Sequence, residues 1–189
     1  MLLYFVLALL IQSILTKPQI KSGVESYGYT DDFARYKMVP MAAASYSSDP
    51  QVCLTRHYKN ATVVKQVTAS CDITKEDSCS GFVSLNHDDQ AIVISFRGST
   101  SNLEVSVEVI ETVFEKQVPF LSGGVSHYFY HAFTLLWDSG LKDAFLSAKN
   151  SYPTYQVFIT GHSLDKSLKI IFFNCIFYEV QLLQLQQLI

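Results

Sequence analysis

Two short runs constrain this chain most: Ala91-Ile92-Val93-Ile94-Ser95-Phe96 and Tyr155-Gln156-Val157-Phe158-Ile159-Thr160. The first is apolar and rich in β-branched residues, the pattern of a strand buried on both faces. The second reads as a strand of the same kind. Between them Phe129, Phe133, Trp137, Leu141 and Phe145 recur every four residues, and Ala144 and Ala148 widen the stripe. That spacing predicts an amphipathic helix whose aromatic face belongs to the core rather than to a ligand site. Gly140 lies inside it and costs about 1 kcal/mol relative to alanine, so a local irregularity is expected there. Pro153 separates the helix from the second strand. Strand, excursion, helix, strand is a βαβ crossover, which implies parallel strands in an α/β sheet.

The rest of the chain sets the context. Its 189 residues, 49% of them hydrophobic, suffice for one domain with a sizeable core. The net charge of -3 offers no basic patch, so no nucleic-acid partner is expected. Mean hydropathy is +0.18, raised by two apolar ends. Leu2 to Ile11 carries no charge and is followed by Gln12, Ser13, Thr16 and Lys17-Pro18. This predicts a signal peptide over residues 1–16 and a secreted, extracellular protein. The apolar run is too short to span a bilayer, which needs about 20 residues.

Secretion changes how the four cysteines read: Cys53, Cys71, Cys79 and Cys175. Cys71 and Cys79 are close enough to close a small loop, and Cys53 could compete for either. There is no Cys-x-x-Cys pair with a histidine cluster, so no metal is expected, and no cofactor is implied. Asn60-Ala61-Thr62 is a glycosylation sequon in a polar stretch between apolar runs. Thr30-Asp31-Asp32 reads as a helix start. A short helix is expected over Met41 to Ser47, stopped by Asp49-Pro50. Residues 55–80 read as short strands and loops.

Directly after the second strand stands Gly161-His162-Ser163-Leu164. A strand running into Gly-x-Ser opens a nucleophile elbow. The turn is sharp, the glycine avoids a clash across it, and a helix starting after the serine would point its N–H groups at a developing oxyanion. The segment Val157 to Leu164 resembles the elbow of the class 3, fungal-type triacylglycerol lipases. Ile92-Val93-Ile94-Ser95-Phe96-Arg97-Gly98-Ser99-Thr100 is similar to the oxyanion strand of that family, and Cys79-Ser80-Gly81-Phe82-Val83 to the strand before it. Ser122-Gly123-Gly124-Val125 with His127 and Phe133 resembles the segment after its lid, and Ala42 to Leu54 the segment leading into its domain.

The resemblance covers roughly residues 30–164 and implies the N-terminal portion of an α/β-hydrolase fold with an incomplete, mostly parallel sheet. It implies Ser163 as nucleophile, with Ser99 and the Leu164 N–H as the oxyanion hole. It implies a lid over residues 101–118, although Asn102-Leu103-Glu104-Val105-Ser106-Val107 is β-prone rather than helical. The expected partner is an acylglycerol or other lipid ester, met at a lipid–water interface.

The pattern then breaks. The family elbow closes with two glycines after the leucine, whereas this chain has Asp165 and Lys166. A carboxylate there suits a helix N-terminus but crowds the turn and sits near an oxyanion that needs donors. No histidine follows Ser163, and the carboxylates after it are Asp165 and Glu179, whereas this fold carries its acid and histidine after the serine. His162 is expected to point away from its neighbour, and His57, His87, His127 and His131 are not expected to serve as base. Residues 17–165 therefore read as the lipase-like part and 166–189 as an atypical apolar tail. The expectation is a chain cut off after its nucleophile, inactive because base and acid are missing. In the family a cysteine near the start pairs with one near the C-terminus, which would leave Cys53 without its partner. The alternative is a non-catalytic secreted protein that keeps the scaffold to bind lipid or a protein partner.

Overall fold

Thr30 opens the described part of the chain as a helix cap, its hydroxyl accepting from Phe33 N–H at 3.1 Å. Asp31 and Asp32 fill the first turn, where the helix dipole favours them. Three segments follow in one helical run: α1 (Asp31–Phe33), a π-helical turn (Ala34–Met38) and α2 (Val39–Ala44). The computed structural model describes residues 30–71, 78–98, 100, 117–120 and 123–162. The helix expected over Met41 to Ser47 thus begins earlier and ends at Ala44. Pro40 sits in its first turn, where a missing N–H is harmless. Asp49-Pro50, read as a stop, lies beyond that helix's end and instead starts the next helix. Asp49 caps α3 (Pro50–His57), its Oδ1 accepting from Gln51 N–H at 3.1 Å.

The sheet begins with β1 (Ala61–Ser70), β2 (Ser78–Asn86) and β3 (Ala91–Phe96). After a two-stranded ribbon, β4 (Val118–Phe120) and β5 (Gly123–Val125), the chain runs through α4 (His127–Leu136), a π-helical turn (Trp137–Leu141) and α5 (Lys142–Ser151). It re-enters the main sheet as β6 (Gln156–Gly161), giving the order β1-β2-β3-β6. The pairings β1–β2 and β2–β3 are antiparallel, and β3–β6 is parallel. Among the described residues the sheet is therefore mixed, with its parallel pairing at the crossover that the sequence predicts.

Every residue of β3 is buried, as a run without a polar face requires. Alternate residues serve different layers. Ile92, Ile94 and Phe96 join Val83 against Phe129, Phe133, Leu136 and Phe145 of the α4–α5 arm. Ala91 and Val93 join Phe82 against Met41, Ala44 and Leu54 of α2 and α3. Helices thus cover both sheet faces, and the predicted aromatic stripe lies in the core. Close packing sets one glycine: a Cβ on Gly81 would lie 2.8 Å from Phe96 Cδ1.

Three buried hydroxyls tie the helical layer to the C-terminal end of the sheet. Ser45 Oγ donates to Phe96 O at 3.0 Å and to Ala42 O at 2.7 Å. Ser95 Oγ donates to Met41 O at 3.0 Å, and Thr160 Oγ1 to Met38 O at 3.4 Å. The Met41 and Ala42 carbonyls belong to the last turn of the helical run, where orphan acceptors accumulate.

Cys71 and Cys79 form a disulfide with Cα atoms 5.6 Å apart, joining the end of β1 to the start of β2. Cys53 is free and half-buried. The bridge closes a loop of sequence separation 8, for which loop-closure entropy gives about 2.5 kcal/mol. Replacing both cysteines by alanine is expected to lower unfolding stability by about that amount in a denaturant titration. At Gly140 helix propensity and geometry oppose each other. Propensity alone favours alanine by about 1 kcal/mol. Gly140 however has φ +123°, outside the range open to residues with a side chain, while Lys65 Cε at 3.6 Å leaves space for a Cβ. Gly140→Ala is therefore expected to destabilise, by about 1–2 kcal/mol, and a thermal melt shifted upward instead would show that the helix straightens at no cost.

Candidate active site

The parallel register decides where the chemistry can gather. Phe96 lies opposite Gly161 and Ser95 opposite Thr160, so β3 and β6 end together. From those ends the chain passes on toward Ser99 and Ser163, three residues beyond Phe96 and two beyond Gly161. The carboxyl ends of neighbouring parallel strands are where open α/β sheets place their ligands. Ser163, Ser99 and Leu164 themselves lie outside the described residues, as does most of the expected lid at 101–118, of which Val118 opens β4.

His162, the last described residue, faces the helical layer. Its Nδ1 is 3.0 Å from Tyr46 Oη, and the two rings meet edge to face with centroids 6.1 Å apart. Tyr46 lies just past α2, 116 residues earlier in the chain. No local pattern could have announced that pairing, and the sequence reading misses Tyr46. The contact engages one ring nitrogen of His162 on the helix side. A groove of about 660 Å³ adjoins it, lined by Met38, Val39, Ala43, Tyr46, Thr160 and Gly161 among others.

On the oxyanion side, Arg97 anchors the exit of β3. Its backbone N–H donates to Ser80 O at 2.8 Å, and its Nη2 donates to Ser78 O and, at 2.9 Å, to Ser78 Oγ. The guanidinium thus clamps the start of β2 beneath the segment leading to Ser99.

The groups with displaced pKa values lie at the other end of the sheet and hold connections. Burial pushes the Tyr58 phenol above its ordinary value, with the charge of Asp89 adding to it. Tyr58 Oη donates to Lys37 O, and Lys37 Nζ pairs with Asp89 at 2.7 Å. Burial pulls the Lys149 ammonium below its ordinary value. Its Nζ donates to Pro153 O and Tyr155 O, each at 2.8 Å, fixing the turn from α5 into β6. His87 is held there too, its Nδ1 being 2.8 Å from Tyr155 Oη. Asn60 of the sequon is exposed at the bend before β1. Among the described residues no three metal-ligating side chains gather, and no helix is long and apolar enough to cross a membrane.

The comparisons with known proteins agree with this arrangement. Residues 93–177 match the family described as Lipase (class 3). A lipase of Caenorhabditis elegans is 28% identical over 149 residues, which is 77% of this chain and 41% of that relative. In fold the chain is similar to a lipase of Yarrowia lipolytica, with TM-score 0.58 and 20% identity over 74% of this chain and 52% of that one. A lipase of Rhizopus microsporus var. chinensis matches with TM-score 0.55 and 19% identity, over 70% of this chain and 46% of that one. A third neighbour, a triacylglycerol lipase whose catalytic centre is a serine protease triad, gives TM-score 0.51 and 22% identity, over 75% of this chain and 53% of that one. The chain thus spans about half the length of the structures it matches, and less of the C. elegans relative. These neighbours share the α/β-hydrolase fold. With a strand, crossover helix and strand leading into Gly-His-Ser-Leu, this chain is similar to the class 3 lipases across the residues that match that family.

Proposed function

We propose that the chain carries the nucleophile half of a serine carboxylester hydrolase acting on acylglycerols. Ser163 attacks the ester carbonyl, and the backbone N–H groups of Ser99 and Leu164 hold the oxyanion. The observation supporting this most is the parallel pairing of Phe96 with Gly161. It ends both strands at one place, so a nucleophile after one and an oxyanion donor after the other can address the same carbonyl. The neighbour with a serine protease triad supplies the chemical precedent for a triacylglycerol.

Secretion fits the same reading. The apolar leader, the Cys71–Cys79 disulfide and the exposed Asn60 are what an extracellular protein carries. The lid assignment, and with it action at a lipid–water interface, rests on the family resemblance.

One observation favours a second reading, a scaffold that binds without turning over. These 189 residues have no histidine after Ser163, and His162 is engaged by Tyr46. A serine hydroxyl without a base is a weak nucleophile at neutral pH. An oxyanion hole alone still accelerates by about 10³–10⁴ over water. An activated ester is therefore expected to acylate Ser163 slowly and to stay on it, because deacylation needs the same missing base. Incubating the 189-residue polypeptide with p-nitrophenyl butyrate should leave a butyryl mass increment on the Ser163 peptide, absent from Ser163→Ala. Steady-state release of p-nitrophenol should match the Ser163→Ala control. An unmodified Ser163 peptide would remove the nucleophile assignment, and sustained Ser163-dependent turnover would remove the reading without a base.

A further inference from the structure

Among the described residues β1 lies at the edge of the sheet and pairs on one side, with β2. An edge presents a row of N–H and C=O groups that another chain can bond. β1 suits such a pairing: Thr62, Val63, Val64, Val67 and Thr68 are β-branched, and residues 61–64 carry neither charge nor proline. Yet the outward groups at its start are taken by a side chain. Gln51 Oε1 accepts from Val63 N–H at 2.7 Å, and Gln51 Nε2 donates to Ala61 O at 3.0 Å. One amide thus offers β1 the acceptor and the donor that a neighbouring strand would offer. The first turn of α3 holds Gln51 in place, its own N–H donating to Asp49 Oδ1 at 3.1 Å. A second amide braces the joint, Gln66 Nε2 donating from β1 to Ser47 O at 2.9 Å. Beyond Val63 the edge is blunted by other means. The register shifts between Val63 and Lys65, and such a bulge interrupts a ladder. Lys65 follows with an exposed charge.

We propose that Gln51 locks the β1 edge: its amide takes the place of a neighbouring strand and so keeps a second copy of this chain from pairing there. A second copy is the matching occupant because it brings the same edge. Two β1 strands running antiparallel about Val63 would set Val63 against Val63 and Lys65 against Ala61, so the valines meet and the lysines do not. Water could also satisfy Ala61 O and Val63 N–H, but it yields to a strand one bond at a time. The tethered amide is present at high effective concentration and must lose both bonds before a strand can enter.

The test uses the whole 189-residue chain and Gln51→Ala. At low protein concentration the Val63 amide is expected to exchange about tenfold faster in the variant than in the unaltered chain. As concentration rises, sedimentation velocity should show the variant joining into dimers where the unaltered chain does not change, and the Val63 amide should regain its protection. Val64 is 40% exposed, so Val64→Lys adds a charge to the opened edge at little cost to the core. Gln51→Ala/Val64→Lys should therefore sediment like the unaltered chain. Equal Val63 exchange with and without Gln51 would overturn the proposal. So would a Gln51→Ala protein that does not dimerise, dimers in which the Val63 amide stays fast, or dimers that survive Val64→Lys. If Gln51→Ala does not fold, Gln51→Asn, one methylene too short to hold both groups, takes its place with the same expectations. None of these readouts depends on ester hydrolysis.

Discussion

The parallel ladder between β3 and β6 is the constraint on which the rest depends. The run at residues 91–96 has no polar face, so it must be covered above and below and bonded on both edges. Antiparallel β2 meets one edge through a short turn. The other edge is met by β6 running in the same direction, and a parallel neighbour can be reached only by crossing a face of the sheet. The α4–α5 arm is that crossing. Ile92, Ile94 and Phe96 are fully buried, each contributing about 1.5–3 kcal/mol of apolar burial, mostly against the arm's aromatic stripe. The opposite face then needs its own cover, which α2 and α3 provide. The ends of β3 and β6 coincide as a consequence, and so the ladder that satisfies the backbone also gathers the site.

Parts of this arrangement could be read from the sequence because they rest on local pattern. Residues 91–96 announce burial by their composition, the arm announces itself by spacing, and Thr30 by capping chemistry. Parts that rest on distant contacts could not. Among the described residues β1 lies at the edge of the sheet, with Lys65 and Gln66 on it and an irregular register at Val63/Lys65, so neither hydrophobicity nor alternation marks its length. Pro50 opens a helix, whereas its effect as a helix stop is the easier signal to see, and the preceding helix has already ended at Ala44. Gly140 signals an irregularity, but its positive φ is decided by how α4 and α5 must angle to keep both on the sheet. At the candidate site the strand was legible, while the Gly-x-Ser turn runs beyond the described residues. Tyr46 was not, because its partner His162 is brought to it only by the fold.

Polar groups at the two ends of the sheet do different work. At the end where β3 and β6 begin, Tyr58, Lys37, Asp89, His87 and Lys149 form bonds that hold turns, and the displaced pKa values of Tyr58 and Lys149 follow from burial at those joints. A displaced pKa often marks a catalytic group, yet structural burial displaces it as well. At the opposite end the ties include the neutral hydroxyls of Ser45, Ser95 and Thr160, each donating to a carbonyl, and the Arg97 guanidinium that holds Ser78. The hydroxyl ties stiffen the strand ends by joining them to the helical layer.

Scaffold and turnover are separable in such an arrangement. Delivering a serine needs the ladder, the glycine turn and a helix start. Activating it needs an imidazole, and of the five histidines His87 and His162 are already engaged with tyrosines. The imidazole is required twice in each cycle, once to take the serine proton and once to activate water. An activated ester with a good leaving group lessens the first requirement but not the second. A serine held in such a turn without a base would therefore be a better acyl acceptor than catalyst.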